Sequence, residues 1–296
     1  MTSMKKNLKR IRLSSFIIWS TLSFFIVIYG VPLLWLFLAG TRSESSLISD
    51  FPLSFGTFAD ARETFLDLTG YNEGQIWTWA WNSVIYTAGS VSLALASCIP
   101  AGYALAMSEF SGRRFILIMT LVAMITPSQA IILPIFLEMS LFGLTNTYGG
   151  LILASSFFPF GVYLAYIYYT TSLPKSVVES ARIDGCGHFK CFIHIGLPLA
   201  RPLLALVAFF SFVNNWNNYF LAFVLISDTD KQNLPVGLTT LLSSSGALNP
   251  QYAGLQQIGQ PEAIQAAIIV VLPIVLVFLI SQKYVRSGLN AGAEKG

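Results

Sequence analysis

Six stretches of this chain, roughly 15–39, 83–108, 114–137, 148–170, 202–226 and 264–282, each run for about the 20 apolar residues that a helix needs to cross a bilayer. That pattern leaves few folds open. A soluble domain carries roughly 25% charged residues, whereas this chain of 296 residues has 10% charged and 54% apolar. The balance excludes a water-soluble enzyme and predicts an all-α, polytopic membrane protein of six transmembrane helices, with lipid as its main surroundings. A net charge of +3 gives no reason to expect a nucleic-acid partner. Three cysteines, Cys98, Cys186 and Cys191, are too few for a disulfide scaffold.

Basic residues set the orientation. Lys5, Lys6, Lys9, Arg10 and Arg12 precede the first apolar run, which is too long for a cleaved signal peptide and reads as a retained span. With the N-terminus inside, 14 of the 17 Lys and Arg fall on the inner side, leaving only Arg42, Arg62 and Lys231 outside. The positive-inside rule therefore predicts both termini in the cytoplasm. The layout is then a cytoplasmic arm over 1–14, the first span and outer loop over 15–82, a five-span core over 83–282, and a cytoplasmic tail over 283–296. Trp77, Trp79 and Trp81 end the first outer loop just before the second span, where an interfacial aromatic belt is expected.

The inner loop at 171–201 is far longer than a turn needs. Pro174 suits the first turn of a helix, and Val177, Val178, Ala181 and Arg182 recur at helical spacing. Asp184-Gly185 ends that helix, because glycine accepts the left-handed conformation of a C-cap. A second short helix over about 188–195 is expected to stop at Leu197-Pro198. The product is a compact elbow. Cys186, His188, Cys191 and His194 are all zinc-ligand types, but their spacing matches no usual zinc pattern and the outer two histidines diverge around a helix. No metal site is expected.

Glu179-Ser180-Ala181, three residues, Gly185, nine residues and then Ile195-Gly196-Leu197-Pro198 resemble the EAA loop of ABC importer permeases, with Ser180 in place of the first alanine. Other stretches resemble the carbohydrate-uptake branch, and within it the maltose-type second permease: Asn82-Ser83, Ala101–Ala106, Leu144–Leu151, Trp216-Asn217-Asn218-Tyr219-Phe220, and the tail Gly288–Gly296. The resemblance covers roughly 80–296. It implies that Glu179, Ser180, Ala181, Asp184, Gly185, Ile195, Leu197 and Pro198 couple this chain to an ATP-binding subunit. It also implies that Gly288, Asn290 and Gly292 of the tail reach between two such subunits.

Asn214, Asn215, Asn217 and Asn218 surround Trp216 in the fifth run, with Tyr219 next in line. Amides in hydrocarbon are costly unless partnered. They and the two aromatic rings either line a solute path, where sugar hydroxyls find donors and acceptors, or bond helix to helix. Pro127, Pro134, Pro159 and Pro273 lie within spans and are candidates for kinks. Glu138 sits near the outer end of the third.

The chain has no Walker A sequence and no evident set of catalytic side chains, so it reads as a non-enzymatic subunit without a cofactor of its own, ATP being bound by partners. The expected function is ATP-driven, alternating-access import of a sugar or sugar-like solute. The expected partners are a homologous second permease, two ATP-binding subunits and an extracytoplasmic binding protein, in the bacterial inner membrane. The alternatives are import of another solute (a peptide, polyamine or phosphate ester) or an ion-coupled carrier acting alone. The carrier would want ionisable residues inside the spans, which are nearly absent.

Overall fold

A computed structural model of the chain describes residues 2–243, 246, 251 and 258–293, with side chains placed over residues 15–282 of that set. Every regular element among the described residues is a helix, and the chain divides into two compact units.

The first unit takes the residues up to Tyr71 together with Leu241–Ile269. It holds α1 (Thr2–Ala39), α2 (Glu44–Ser49) and α3 (Phe58–Gly70). Ser15–Ala39 is apolar enough to cross a membrane and is exposed along most of its length, as a helix solvated by lipid would be. The loop after it is tied down by backbone bonding. Gly56 donates to the Thr41 hydroxyl at 2.9 Å and Thr57 to the Thr41 carbonyl at 3.0 Å. A Cβ on Gly56 would stand 1.9 Å from that carbonyl oxygen, so only glycine fits. Buried Arg42 donates to the carbonyls of Ser46 and Pro52. Gln265 donates to the carbonyls of Gly40 and Ala61 at 2.8 and 2.9 Å.

The second unit takes Asn72–Thr240 and the residues from Val270. Its elements are α4 (Gln75–Met107), α5 (Arg113–Ile125), α6 (Ser128–Leu141), α7 (Tyr148–Ser155), α8 (Pro159–Ser172), α9 (Lys175–Ile183), α10 (His188–Cys191), α11 (Leu197–Leu199), α12 (Arg201–Trp216), α13 (Phe220–Leu225) and most of α14 (Leu234–Ser243), whose last three residues belong to the first unit. A last helix, α15 (Gln260–Ala293), runs from the first unit into the second.

Among the described residues three helices are uninterrupted and long enough to cross a membrane, and three bent pairs bring the number to six if each pair is one span. Kinks expected from prolines within spans are present at two of the four positions. α5 and α6 bend by 109° at Thr126-Pro127, α7 and α8 by 43° ahead of Pro159, and the fifth run stops at Trp216 and resumes at Phe220. A proline forces its predecessor out of the helical region, and Thr126 and Phe158 are both non-helical (ψ 123° and 73°). Pro134 and Pro273, by contrast, lie inside continuous helices. A helix broken inside a membrane must find partners for its freed carbonyls. Here Ser90 and Cys98 of α4 donate to the carbonyls of Ile152 and Phe158.

α4 and α8 form the centre of this unit. At Gly102 their backbones touch: an added Cβ would lie 2.3 Å from Ala165 Cβ and 2.8 Å from the Tyr166 nitrogen. Around that contact cluster Cys98, Ile99, Tyr103, Ala106, Tyr169, Leu203 and Val207, joined by Leu173 and Val178 from the elbow.

Candidate functional site

The elbow begins at Pro174, whose ψ of 124° turns the chain out of α8 and into α9. Val178 is the side chain that α9 buries, and it plugs the elbow into the core cluster. The helix ends on Asp184, with Gly185 left-handed at φ +84°. The amide of Cys186 donates to the Ala181 carbonyl at 2.9 Å and that of Gly185 to the Arg182 carbonyl at 3.0 Å. These two bonds close a Schellman motif and fix the angle at which the next helix leaves. Ser180 donates its hydroxyl to the Ser176 carbonyl at 2.8 Å. Arg182 reaches back to the Met107 carbonyl at the end of α4 (3.2 Å) and to His188 Nδ1 (3.0 Å). Guanidinium has no acceptor, so Nδ1 is the unprotonated ring nitrogen in that contact. His194 Nδ1 lies 3.0 Å from the Lys190 carbonyl, and the Cys191 thiol donates to the Cys186 carbonyl at 3.4 Å.

Beyond α10 the chain makes a π-type turn over Phe192–Gly196, then α11, and bends by 77° at Ala200 into α12. Pro198 does not stop the second helix, contrary to the sequence reading. The wide turn just before it relieves the clash that a proline ring makes in a regular α-helix. Ile195 and Leu197 are half-buried against the core cluster, and Gly196 is buried. Glu179, Ser180, Asp184 and Gly185 are exposed, as are the large apolar side chains Ile183 and Phe189 (86% and 75%).

At the opposite end of α12 lies a hollow of about 420 Å³, bounded by the breaks between α5 and α6, between α7 and α8, and between α12 and α13, within the size range of small-molecule sites. Ser128 and Gln129 line it from α6, Ser155 and Phe157 from the α7–α8 break, and Asn214, Asn217, Asn218, Tyr219 and Phe220 from the α12–α13 break. None of the residues lining it is ionisable apart from the Tyr219 phenol. The candidate cluster thus divides. Asn214 and Asn217 are exposed, and Asn218 is held by the Ser155 hydroxyl at 3.0 Å. Asn215 instead turns inward to Ser211, donating at 2.9 Å to its carbonyl. Trp216 is buried, donates to the Val270 carbonyl at 2.9 Å and stacks on Phe212. Those two serve helix packing.

A third arrangement joins α4 to the loop over 228–233. Trp79 donates to the Thr229 carbonyl at 2.9 Å, Asn82 to those of Asp230 and Gln232 at 2.8 and 2.9 Å, and Tyr86 to that of Lys231 at 2.7 Å. Ser83 accepts from the Leu234 amide at 2.8 Å, and Tyr148 donates to Asn82 Oδ1 at 2.8 Å. Trp79 is therefore no belt residue: its ring is buried against Gly237, where a Cβ would fall 2.1 Å away. The alternating Trp77-Thr78-Trp79 run hid this, since helical phase alone separates the inward ring from the outward ones, and α4 starts eight residues earlier than the apolar run suggests.

Comparison with known proteins decides the family. The profile described as "Binding-protein-dependent transport system inner membrane component" matches residues 98–290, which include the elbow, the hollow and α12. The chain belongs to that family. This permease is 34% identical over 267 residues to an arabinooligosaccharide transport system permease protein of Halalkalibacterium halodurans, covering 90% of this chain and 91% of that one. It is 32% identical over 284 residues to a diacetylchitobiose uptake system permease protein of Streptomyces coelicolor (93% and 85% covered). Its fold matches, at TM-score 0.78 and 24% identity over 93% of this chain and 97% of the other, the crystal structure of a bacterial ABC transporter involved in the import of the acidic polysaccharide alginate. The permease is accordingly an inner-membrane, multi-pass ABC importer subunit. Gly288, Asn290 and Gly292 belong by backbone to α15, but their side chains lie outside those described, as do residues 294–296 altogether.

Proposed function

We propose that this permease imports a sugar or sugar oligomer, and that its elbow docks on a separate ATP-hydrolysing subunit and drives alternating access. One observation carries the reading: an elbow fixed by the Gly185 motif presents Glu179 and Ile183 of α9 and Phe189 of α10 outward, and leads through α11 and the bend at Ala200 into α12, which ends at the hollow. A fixed elbow of this kind suits a lever, since closure of one subunit has to become rotation of another.

The chemistry of the hollow favours a neutral, polyhydroxylated solute. Serine and amide groups supply both donors and acceptors, Tyr219 and Phe157 offer flat apolar faces, and no carboxylate, ammonium or guanidinium is present to hold a polyamine or a phosphate ester. The two relatives named above are oligosaccharide permeases, which agrees with that chemistry.

In this scheme both termini are cytoplasmic, ATP is bound by two partner subunits and not by this chain, and a homologous permease completes the path. A loaded extracytoplasmic binding protein meets the outer loops. ATP closes the partner pair, the elbow tilts, the hollow opens outward, and hydrolysis resets it. Gly288, Asn290 and Gly292 place the tail near the ATPase pair. Glu179→Lys is the test: it should abolish uptake and ATPase co-purification while the protein stays in the membrane. Normal uptake by that variant overturns the docking role.

A further inference from the structure

Between the elbow and α12 the amide of Leu197 reaches back five residues to the Phe192 carbonyl, making the π-type turn over Phe192–Gly196. Such turns are rare and concentrate at functional sites. Three tyrosines hold this one. Tyr103 of α4 lays its ring over Gly196, where an added methyl would stand 2.8 Å from Cε2 and 3.0 Å from Cδ2. The same ring meets Phe192 and Tyr169, each at 5.1 Å between centroids. Tyr169 donates to the Gly196 carbonyl at 3.4 Å, and Tyr168 to the Leu199 carbonyl at 2.8 Å.

We infer that Gly196 seated under Tyr103 is the pivot on which tilting of the elbow swings α12, and that Tyr103 is a positioning residue for transport; this rests on the lever role proposed above. The stationary side is the α4–α8 pair, which Gly102 brings into backbone contact and which carries all three tyrosines. The moving side is α12, whose 16 residues span about 24 Å and end at Asn214 and Asn217. A tilt of about 10° at its base displaces the hollow wall by roughly 4 Å over that length. At Gly196 itself the contact is a ring edge against a glycine, with no side chain on the moving side of that point. The Tyr103 hydroxyl is buried and has no partner among the described residues. An orphaned buried hydroxyl is a standing cost, which a conformation that satisfies it would relieve.

The test uses the transporter purified with its partner subunits and reconstituted in liposomes, carrying a reporter cysteine at position 214 (Asn214→Cys). A membrane-impermeant maleimide, added from the outer face, probes that cysteine with and without ATP and vanadate. Cys98 and Cys191 are buried, and half-buried Cys186 on the elbow serves for cross-linking to the ATPase. The labelling rate should change at least tenfold with nucleotide. Gly196→Ala should flatten that change to less than twofold while leaving the Cys186 cross-link intact, and adding Tyr103→Leu should restore at least half of it. A full response in Gly196→Ala, a lost cross-link, or no restoration overturns the pivot. Should Gly196→Ala fail to reach the membrane, Tyr103→Phe decides: removing the orphaned hydroxyl should favour the present conformation and cut the nucleotide response at least threefold, and an unchanged response overturns the inference. The lever itself fails separately, if Glu179→Lys retains both cross-link and response.

Discussion

Replacing Asn82 with leucine tests whether the loop over 228–233 is held by α4 or merely rests on it. The side chain is almost wholly buried (2% exposed) and makes three hydrogen bonds, two donated to loop carbonyls and one accepted from Tyr148. Leucine fills a similar volume and removes all three. At about 1 kcal/mol net for each neutral bond, the two bonds to the loop hold it by about 2 kcal/mol against local opening, so their loss should shift the opening equilibrium roughly thirtyfold. Trp79, Tyr86 and Ser83 still hold its other positions, so the loop should open without the helices separating. Hydrogen exchange on the purified protein reads this directly. The amides of Asp228, Lys231 and Leu234, bonded respectively to Asn146, the Asp228 carbonyl and Ser83, should exchange about thirty times faster, and those of α8 at their former rate. Unchanged loop exchange, or equal acceleration in α8, refutes the clasp.

Gly102→Ala forces a methyl into the α4–α8 contact and should cost about 2–3 kcal/mol by overpacking, seen as a lower unfolding temperature in detergent; wild-type stability would mean that the helices can part freely. Gly185→Asn should keep most uptake while Gly185→Pro loses it, because asparagine tolerates a left-handed φ and proline can neither adopt it nor donate to Arg182; equal activity in both would remove the need for the motif. Asn214→Leu and Asn217→Leu should raise the apparent KM for the solute several-fold, whereas Asn215→Leu should leave KM unchanged; the reverse pattern would place the solute elsewhere. Lys231 and the Asp230 amide hold the Asp228 carboxyl below the usual carboxylate range. Its contribution to the loop is thus fully present above the usual range and lost only as pH falls through the lowered value, so in an infrared titration of the carboxylate band Lys231→Met should move the Asp228 midpoint upward.

The elbow shows why some features are readable without coordinates. A helix that ends on Asp184-Gly185 is a local event: the left-handed φ, the two capping bonds and the buried Val178 all lie within nine consecutive residues. The bilayer acts the same way, because apolar length and basic flanks decide a crossing residue by residue. Apolar runs, the elbow and its capping glycine are therefore legible in the residues alone. Whether a proline breaks its helix was decided by the tertiary structure. Pro127 and Pro159 sit at breaks, and at the second of these Ser90 and Cys98 of α4 donate to the Ile152 and Phe158 carbonyls, while Pro134 and Pro273 are carried inside intact helices. The same holds for the asparagines of the fifth run, identical in chemistry, of which the neighbours turn Asn215 inward and leave Asn214 and Asn217 facing the hollow. A polar group in a membrane bundle goes wherever a partner is in reach, and reach is a property of the packed helices, not of the chain order.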